Sequence, residues 1–146
     1  MKSQNEMSLC FESRSSNEAF ARSAVAAFIT QLDPTIGELS DIKTAVSEAV
    51  TNCVVHAYKD TIGKIYINIK ICENGIITIK IRDTGCGIPD IEQAMEPLFT
   101  TSDSERAGLG FAVMQSFMDN VKVKSKVGKG TSVTFTKKLS RRVSNA

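Results

Sequence analysis

Residues 64–83, KIYINIKICENGIITIKIRD, carry the clearest structural pattern in the chain. Isoleucine occupies every second position on either side of the sequence ENG at residues 73–75. Alternate residues of a strand share one face, so this period of two predicts strands with a single apolar face. Asparagine followed by glycine favours a tight turn. The stretch therefore predicts an antiparallel β-hairpin with one buried, isoleucine-lined face.

A short strand at residues 8–12 and a helix at residues 17–31 are predicted near the N-terminus, and the helix ends before Pro34. Helical spacing assigns to its buried stripe Phe20, Ala24, Ala27, Phe28 and Leu32. Arg22 falls off this stripe, so we expect its guanidinium to be exposed and to contact a protein partner. An ordinary solvated arginine is the alternative.

A longer helix is predicted from residue 35 to about residue 57. Thr35 and Glu38 have the spacing of a capping box, in which each side chain accepts a hydrogen bond from the backbone of the other residue. The apolar stripe of this helix consists of Leu39, Ile42, Val46, Ala49, Val50, Cys53 and Val54. His56 is expected to be a surface or packing residue of the same helix.

Residues 83–107 form a long segment rich in glycine, threonine and serine, with only a short helix predicted at residues 90–95. A segment of this length in a compact domain usually has a function. A third helix is predicted at residues 108–119, followed by strands at residues 121–126 and 131–139.

This order of elements predicts an α+β fold. We expect a two-layer α/β sandwich in which the helices cover one face of a mixed, mostly antiparallel sheet. The chain has 146 residues, the length of one domain. We therefore expect a single domain over residues 1–146, with a disordered polar tail at residues 140–146.

Composition excludes several classes of function. The chain has 18 lysines and arginines against 16 acids, a net charge of +2, so it has no large field of one sign for nucleic acid or anionic membranes. We expect no direct binding to either. The N-terminus lacks the apolar core of a signal peptide, which favours the cytoplasm. The four cysteines match neither a zinc pattern nor a compact disulfide framework, so reduced, mostly buried thiols are expected.

Three polar motifs are candidates for chemistry, and the first lies on the second helix. Glu48 and Asn52 are four residues apart, so their side chains project from the same side of the helix. A carboxylate beside an amide is a candidate polar site. On spacing alone, an ordinary solvent-facing helix surface explains the pair as well.

The second motif is DTGCGIP at residues 83–89, directly after the hairpin. Asp83 follows a buried strand, so the backbone behind its carboxylate is fixed. Gly85 and Gly87 remove side-chain volume, which lets a flat ligand approach the main chain. The alternative is a glycine turn that the aspartate caps.

The third motif is RAGLGF at residues 106–111, which we predict to open the third helix. Each glycine inside a helix costs about 1 kcal/mol relative to alanine, so Gly108 and Gly110 need a reason beyond propensity. Free amide groups and the helix dipole attract phosphate at a helix N-terminus, and glycine lets phosphate oxygens reach those amides. A flexible hinge is the alternative.

Taken together and in this order, the motifs resemble those of the GHKL superfamily of ATPases and kinases, which includes gyrase B and the histidine kinases. SEAVTN at residues 47–52 is similar to its N box, DTGCGIP to its G1 box, and GLGF at residues 108–111 to its G2 box. GKGT at residues 128–131 resembles the last nucleotide-binding segment, and EPLFTT at residues 96–101 the segment before the ATP lid. The resemblance implies the ATP-binding sandwich of the Bergerat type.

The resemblance also implies roles for individual residues. Glu48 is expected to be the general base, and Arg106 to neutralise charge on the γ-phosphate. Asn52 is expected to bind Mg²⁺ together with the nucleotide, which is ATP or ADP. Asp83 is expected to accept a hydrogen bond from the adenine amino group. The other expected nucleotide-binding residues are Gly85, Gly87, Thr101, Gly108, Gly110 and Thr131.

Within the superfamily, the short single-domain form resembles the anti-sigma-factor serine kinases. That resemblance implies a homodimer that binds a sporulation sigma factor, sigma F, and phosphorylates a serine of an anti-anti-sigma factor. The lid is short, with about ten residues between Pro97 and Gly108, so a bound nucleotide should stay partly open to a docking protein. Two alternatives remain open: an ATP-regulated sigma-binding module without significant kinase activity, and an ATPase clamp.

Overall fold

The computed structural model describes residues 3–95 and 102–140, and of residues 102–109 only the backbone. The strands are β1 (Ser3–Glu12), β2 (Lys64–Cys72), β3 (Ile76–Asp83), β4 (Asn120–Lys126) and β5 (Gly130–Lys138). The helices are α1 (Asn17–Ile29), α2 (Ile36–Asn52), α3 (Ile91–Ala94) and α4 (Ser102–Phe117). A 3₁₀ turn (Thr30–Leu32) follows α1, a π-helical turn (Cys53–Ala57) follows α2, and a further 3₁₀ turn (Glu73–Gly75) joins β2 to β3.

The strands form one sheet in the order β1-β2-β3-β5-β4, and every pairing among the described strands is antiparallel, so the sheet is not mixed as predicted. The predicted hairpin is confirmed: Ile67 pairs with Ile81, and Ile69 pairs with Ile79. The alternation that buries these isoleucines also brings Asp83, two positions after Ile81, to the same buried face. The hairpin thus delivers a carboxylate to the inner side of the sheet.

Helices α1, α2 and α4 pack over the isoleucine face, which confirms the two-layer α+β sandwich. The core contains Ile42, Val46 and Val50 of α2 and Phe111 and Met114 of α4, all almost fully buried. Helix α2 lies between α1 and α4 and contacts both. The C-terminal end of α2 therefore lies at the boundary between the helical layer and the sheet, next to α4.

The capping box is confirmed at the start of α2. The Thr35 side chain accepts a hydrogen bond from the Glu38 amide at 3.0 Å, and Glu38 Oε1 accepts one from the Thr35 amide at 2.9 Å. Glu38 Oε2 also accepts a hydrogen bond from the Ser140 amide at 2.7 Å. The expected tail therefore does not include Ser140, which is held to α2; residues 141–146 lie outside the described part of the chain.

The stripe predicted for α1 is only partly correct: Phe28 and Leu32 pack against the core, but Phe20 and Ala27 are exposed. Phe20 is 56% exposed, whereas Ala21, Val25 and Ile29 are fully buried. The many alanines of this helix are compatible with more than one buried face, and packing against α2 selects the face. Phe20 instead packs edge-on against Phe11 of β1, with ring centroids 6.3 Å apart.

Helix α4 begins at Ser102, six residues before the predicted start. Residues 102–107 include the good helix formers Glu105, Arg106 and Ala107, with an aspartate near the positive end of the helix. Gly108 and Gly110 consequently lie inside the helix and not in its opening turn. The glycines suggest a helix that begins at residue 108, but residues 102–107 do not require the helix to begin there.

Strand β1 is also longer than predicted, because its polar first half pairs with β2 through the backbone and leaves no apolar alternation to detect. The cysteines are all free: Cys53 and Cys72 are buried, but Cys10 and Cys86 are exposed, contrary to the expectation that most are buried. No helix in the described ranges is long and apolar enough to cross a bilayer.

Candidate active site

A cavity lies between the C-terminal end of α2, the loop after β3, helix α4 and strand β5. Its lining is mainly apolar, with a few polar groups that come from different elements. A site of this composition suits a flat organic ligand that also needs oriented hydrogen bonds. The lining residues used below are Asn52, Cys53, His56, Asp83, Gly87, Phe111 and Thr131.

Asp83 is the buried charged residue of this cavity, with 5% of its surface exposed. Its Oδ1 accepts hydrogen bonds from the Gly85 amide at 2.9 Å and the Thr131 amide at 3.2 Å. Among the described residues, the only donor to Oδ2 is the Cys53 thiol, at 3.4 Å. A thiol is a weak donor, so Oδ2 retains capacity to accept a stronger hydrogen bond from a ligand.

The contact with Asp83 also affects the pKa of the Cys53 thiol. Burial raises the pKa of Cys53 well above its usual range, and the nearby Asp83 charge adds to the effect. The thiol therefore stays protonated at neutral pH and can act as a donor to the carboxylate.

Glu48 and Asn52 lie beside Gly110 of helix α4, and both residues are partly buried. A Cβ atom placed on Gly110 would lie 3.1 Å from Glu48 Oε1 and 3.4 Å from both terminal atoms of Asn52. The Asn52 amide nitrogen is buried and has no hydrogen-bond partner in the described part of the chain. The alternative of an ordinary solvated helix surface is therefore wrong for Asn52, and an unpartnered buried donor is suited to a ligand acceptor.

The glycines of the loop after β3 make room for protein backbone. A Cβ atom on Gly85 would lie 2.3 Å from the Ala57 carbonyl oxygen, and one on Gly87, at φ +80°, 2.3 Å from that of Lys126. These contacts explain both glycines without a ligand. Their predicted contact with the nucleotide stays a prediction.

Thr131 contributes its backbone as well as its hydroxyl. Its amide donates to Asp83, as described above, and its Oγ1 lies 2.8 Å from Ser125 Oγ. Ser125 Oγ in turn donates to the Gly130 carbonyl at 3.1 Å, so the Thr131 hydroxyl acts as donor to Ser125. The amide contact was not predictable from the motif, because it joins positions 48 residues apart.

The remaining predicted residues are distributed as follows. Arg106 and Gly108 lie in the first half of α4, where only the backbone is described, and Thr101 lies outside the described residues. Arg22 does not line the cavity; it lies in a groove between α1 and α2, beside Leu39 and Lys43, with its guanidinium 3.5 Å from Glu18. His56, expected at the surface or in packing, lines the cavity.

The sequence does not identify two residues of this region as site residues. Its pattern places Cys53 in the apolar stripe of α2, and the contact of Cys53 with Asp83 depends on tertiary structure. Tyr58, directly after the π-helical turn, is 6% exposed and bonds to the loop after β3. The only sequence feature that points to Tyr58 is its position next to the apolar end of a helix. In the described ranges, no three histidine, cysteine, aspartate or glutamate side chains form a group that would hold a metal without a further ligand.

Comparison with known proteins identifies the family. Residues 11–137 match the histidine kinase-like ATPase domain. The anti-sigma F factor of Caldanaerobacter subterraneus subsp. tengcongensis is 58% identical, over 97% of this chain and 99% of the relative. The anti-sigma F factor of Geobacillus kaustophilus is 53% identical, over 94% of each chain.

Solved structures agree on the fold. The RsbU and RsbW domains of a Mycobacterium tuberculosis protein give a TM-score of 0.71 at 18% identity, covering 94% of this chain and 33% of that one. The domain of a blue-light activated histidine kinase from Erythrobacter litoralis gives 0.57 at 18% identity, covering 84% and 60%. With these similarities added to the sheet topology and the cavity, the chain belongs to the histidine kinase-like ATPase domain family and, within it, to the anti-sigma F factors.

Proposed function

We propose that this protein is an anti-sigma factor that binds sigma F and, as an ATP-dependent kinase, phosphorylates a serine of an anti-anti-sigma factor. The observation that carries the nucleotide part of the proposal is Asp83, a buried carboxylate with one oxygen held by two amides and the other open to a stronger donor. The adenine amino group is such a donor. Guanine presents an acceptor at the corresponding edge, so the same carboxylate disfavours it.

Asn52 and Glu48 support a phosphate end of the site next to Gly110. An Asn52 amide oxygen is a suitable ligand for Mg²⁺, a hard cation that usually keeps waters and phosphate oxygens as its other ligands. The buried Asn52 amide nitrogen then has a phosphate oxygen as its acceptor, which fits its lack of a partner in the described chain. When bound, Mg²⁺ supplies charge neutralisation at the phosphates.

Glu48 is the proposed general base. Its carboxylate takes the proton of the substrate serine hydroxyl as that oxygen attacks the γ-phosphorus and the bond to the β–γ bridging oxygen breaks. The products are phosphoserine and ADP. A base of this kind contributes about 10² to 10⁴ in rate, and positioning contributes most of the remainder.

Arg106 is proposed to neutralise charge on the γ-phosphate, for which a guanidinium is well shaped. Gly108 and Gly110 are proposed to contact the phosphates. Their amides lie within helix α4, so this contact requires the first turns of α4 to open when the nucleotide binds. Gly85, Gly87, Thr101 and Thr131 complete the proposed nucleotide site.

The partners follow from the names of the relatives and from the family resemblance. We propose sigma F and a serine-bearing anti-anti-sigma factor as protein partners, a homodimer as the assembly, and the cytoplasm as the compartment. Arg22, in the groove between α1 and α2, is the proposed partner contact. Sedimentation of the purified chain tests the homodimer.

The test combines calorimetry with phosphoryl transfer from labelled ATP to the serine-bearing partner. Asp83→Asn is expected to weaken ATP binding, because the asparagine side chain has an N–H donor as well as an acceptor. The donor cannot bind the adenine amino group, which is itself a donor. Glu48→Gln is expected to bind ATP within a few fold of wild type and to lose transfer by about 10² or more. Glu73→Gln, at the exposed hairpin turn, is the matched control.

Different results identify the alternatives. ATP-dependent sigma binding with no transfer by the wild type supports a binding module, and steady hydrolysis without an acceptor protein supports an ATPase clamp. Transfer at the normal rate by Glu48→Gln removes glutamate from the role of base. Unchanged ATP affinity in Asp83→Asn contradicts the adenine contact.

A further inference from the structure

The π-helical turn after α2 and the residue that follows it contact the end of β3 and the loop after it at several points. The Cys53 thiol donates to Asp83 Oδ2 at 3.4 Å, and the Ala57 carbonyl accepts from the Cys86 amide at 3.1 Å. Tyr58 makes the third contact, with Thr84. This interface lies between Asn52, at the proposed phosphate end of the site, and Asp83, at the proposed base end.

The Tyr58 hydroxyl is saturated with hydrogen bonds. It donates to the Lys64 carbonyl at 2.6 Å, which can only accept, and it accepts from the Thr84 amide at 2.7 Å. Its contact of 3.1 Å with Thr84 Oγ1 is then donated by the threonine. One donor and two acceptors use the whole capacity of a phenol, so the hydroxyl holds both Thr84 and Lys64 in one geometry.

The local fold is arranged around the Tyr58 ring. The ring is 6% exposed, and a Cβ atom on Gly63 would lie 2.2 Å from it, so the chain passes the ring closely at a residue without a side chain. The Tyr58 amide donates to the Cys53 carbonyl at 3.0 Å, closing the wide π-helical turn. This turn sets the position of the ring relative to the end of α2.

We infer that Tyr58 is a positioning residue for nucleotide recognition, which fixes Asp83 relative to Asn52 by binding both the backbone amide and the side-chain hydroxyl of Thr84. The inference rests on the proposed function, because it assigns to Asp83 the adenine amino group. The neighbouring Asp83 has its Oδ1 already fixed by two amides, and Tyr58 fixes the next peptide along the chain. A displaced Thr84 moves the carboxylate that must meet the adenine amino group.

The test compares Tyr58→Phe with Tyr66→Phe, which removes the hydroxyl of the other tyrosine in the chain. Tyr66 is the matched control because it lies on strand β2 with its ring against Arg82, 4.1 Å from ring centroid to guanidinium carbon. Calorimetry measures the dissociation constants of ATP and of inosine triphosphate, which has an oxygen in place of the adenine amino group. Both are measured with Mg²⁺, well below the melting temperature of each variant.

Tyr58→Phe is expected to weaken ATP binding about five- to tenfold, the effect of losing one oriented hydrogen bond. Binding of inosine triphosphate is expected to change less than twofold, so the preference for ATP shrinks. Tyr66→Phe is expected to keep the wild-type preference. A purely structural role for Tyr58 lowers the melting temperature but leaves the preference unchanged, and that result overturns the inference.

Thr84→Val and Thr84→Ser test the same contact if Tyr58→Phe does not fold. Thr84 is exposed, so both variants should fold, and only valine removes the hydroxyl that donates to Tyr58. Thr84→Val is expected to reduce the preference for ATP about twofold, and Thr84→Ser to retain it. Equal preferences in the two variants overturn the inference, whereas a wild-type chain that binds neither ATP nor ADP overturns the proposed function itself.

Discussion

Asp83 carries a charge that burial makes unfavourable. A buried carboxylate costs several kcal/mol unless hydrogen bonds replace its lost hydration, and here two backbone amides and a thiol do so in part. The two amides come from the loop after β3 and from the neighbouring strand β5. The free hydrogen-bonding capacity of Oδ2 therefore affects which ligand binds and not the stability of the fold.

A substitution of Gly110 is expected to affect stability and activity differently. Alanine is favoured over glycine inside a helix by about 1 kcal/mol, but its Cβ would lie 3.1 Å from Glu48 Oε1, the flexible end of a side chain. Gly110→Ala is therefore expected to melt no lower than wild type while losing about tenfold or more of its transfer rate, because Glu48 must shift. Thermal unfolding and the transfer assay measure the two effects.

Gly37→Ala is the control for that substitution. Gly37 lies in α2, and a Cβ atom there would have nothing within 4 Å. This variant is expected to keep full activity. A Gly110→Ala protein that transfers phosphate as fast as Gly37→Ala would show that the position of Glu48 is not critical.

Helix α2 is the element that organises the molecule, and its N-terminus is held by more than helix propensity. Burial alone would raise the pKa of Glu38, but hydrogen bonds from Ser140 and Thr35 outweigh burial and lower the pKa below its usual value. The carboxylate thus joins the capping box to the end of the sheet. Its ionised form stabilises the folded state.

This lowered pKa predicts how stability depends on pH. A group with a lower pKa in the folded state stabilises the fold above its unfolded pKa, about 4.5, and the gain is lost as pH falls through the folded pKa. Wild type is expected to exceed Glu38→Gln in unfolding free energy at pH 7, by less than about 1 kcal/mol because the group is largely solvated. Urea denaturation at pH 7 and at pH 3 measures the difference, which should be smaller at the lower pH. A constant difference contradicts the assignment, and Glu73→Gln is the control.

At the scale of the whole molecule, burial divides the four thiols into two classes. Cys10 and Cys86 are exposed, while Cys53 and Cys72 are 5% and 4% exposed. Because the thiolate is the reactive form, the raised pKa of Cys53 slows its alkylation further. A short pulse of N-ethylmaleimide followed by mass spectrometry is expected to label Cys10 and Cys86 first.

The two buried thiols are expected to react only when the protein opens. In denaturant, all four cysteines should label at similar rates. Rapid labelling of Cys53 in the folded protein would contradict the closed packing between α2 and the loop after β3. The background labelling is measured without denaturant on a variant in which Cys10 and Cys86 are replaced with serine.

Local patterns were sufficient for the hairpin of β2 and β3 and for the start of α2. Alternating isoleucines, a turn with Asn-Gly, and a capping box each depend on residues within a few positions of one another, so the sequence contains all the relevant information. Each motif around Asp83 and Gly110 is likewise a local pattern, but the family could be expected only because several such motifs occur in a fixed order between residues 47 and 131.

The buried face of α1, the first residue of α4 and the partners of Asp83 were decided by the tertiary structure. Cys53 is 30 residues from Asp83 and Thr131 is 48 residues from it, so no local pattern reports those hydrogen bonds. Alanine-rich α1 offered several possible faces, and contact with α2 selected one. What the sequence by itself determined is the set of elements and the chemistry they carry; packing between distant segments determined which polar atoms meet, because burial and hydrogen bonding depend on position in space.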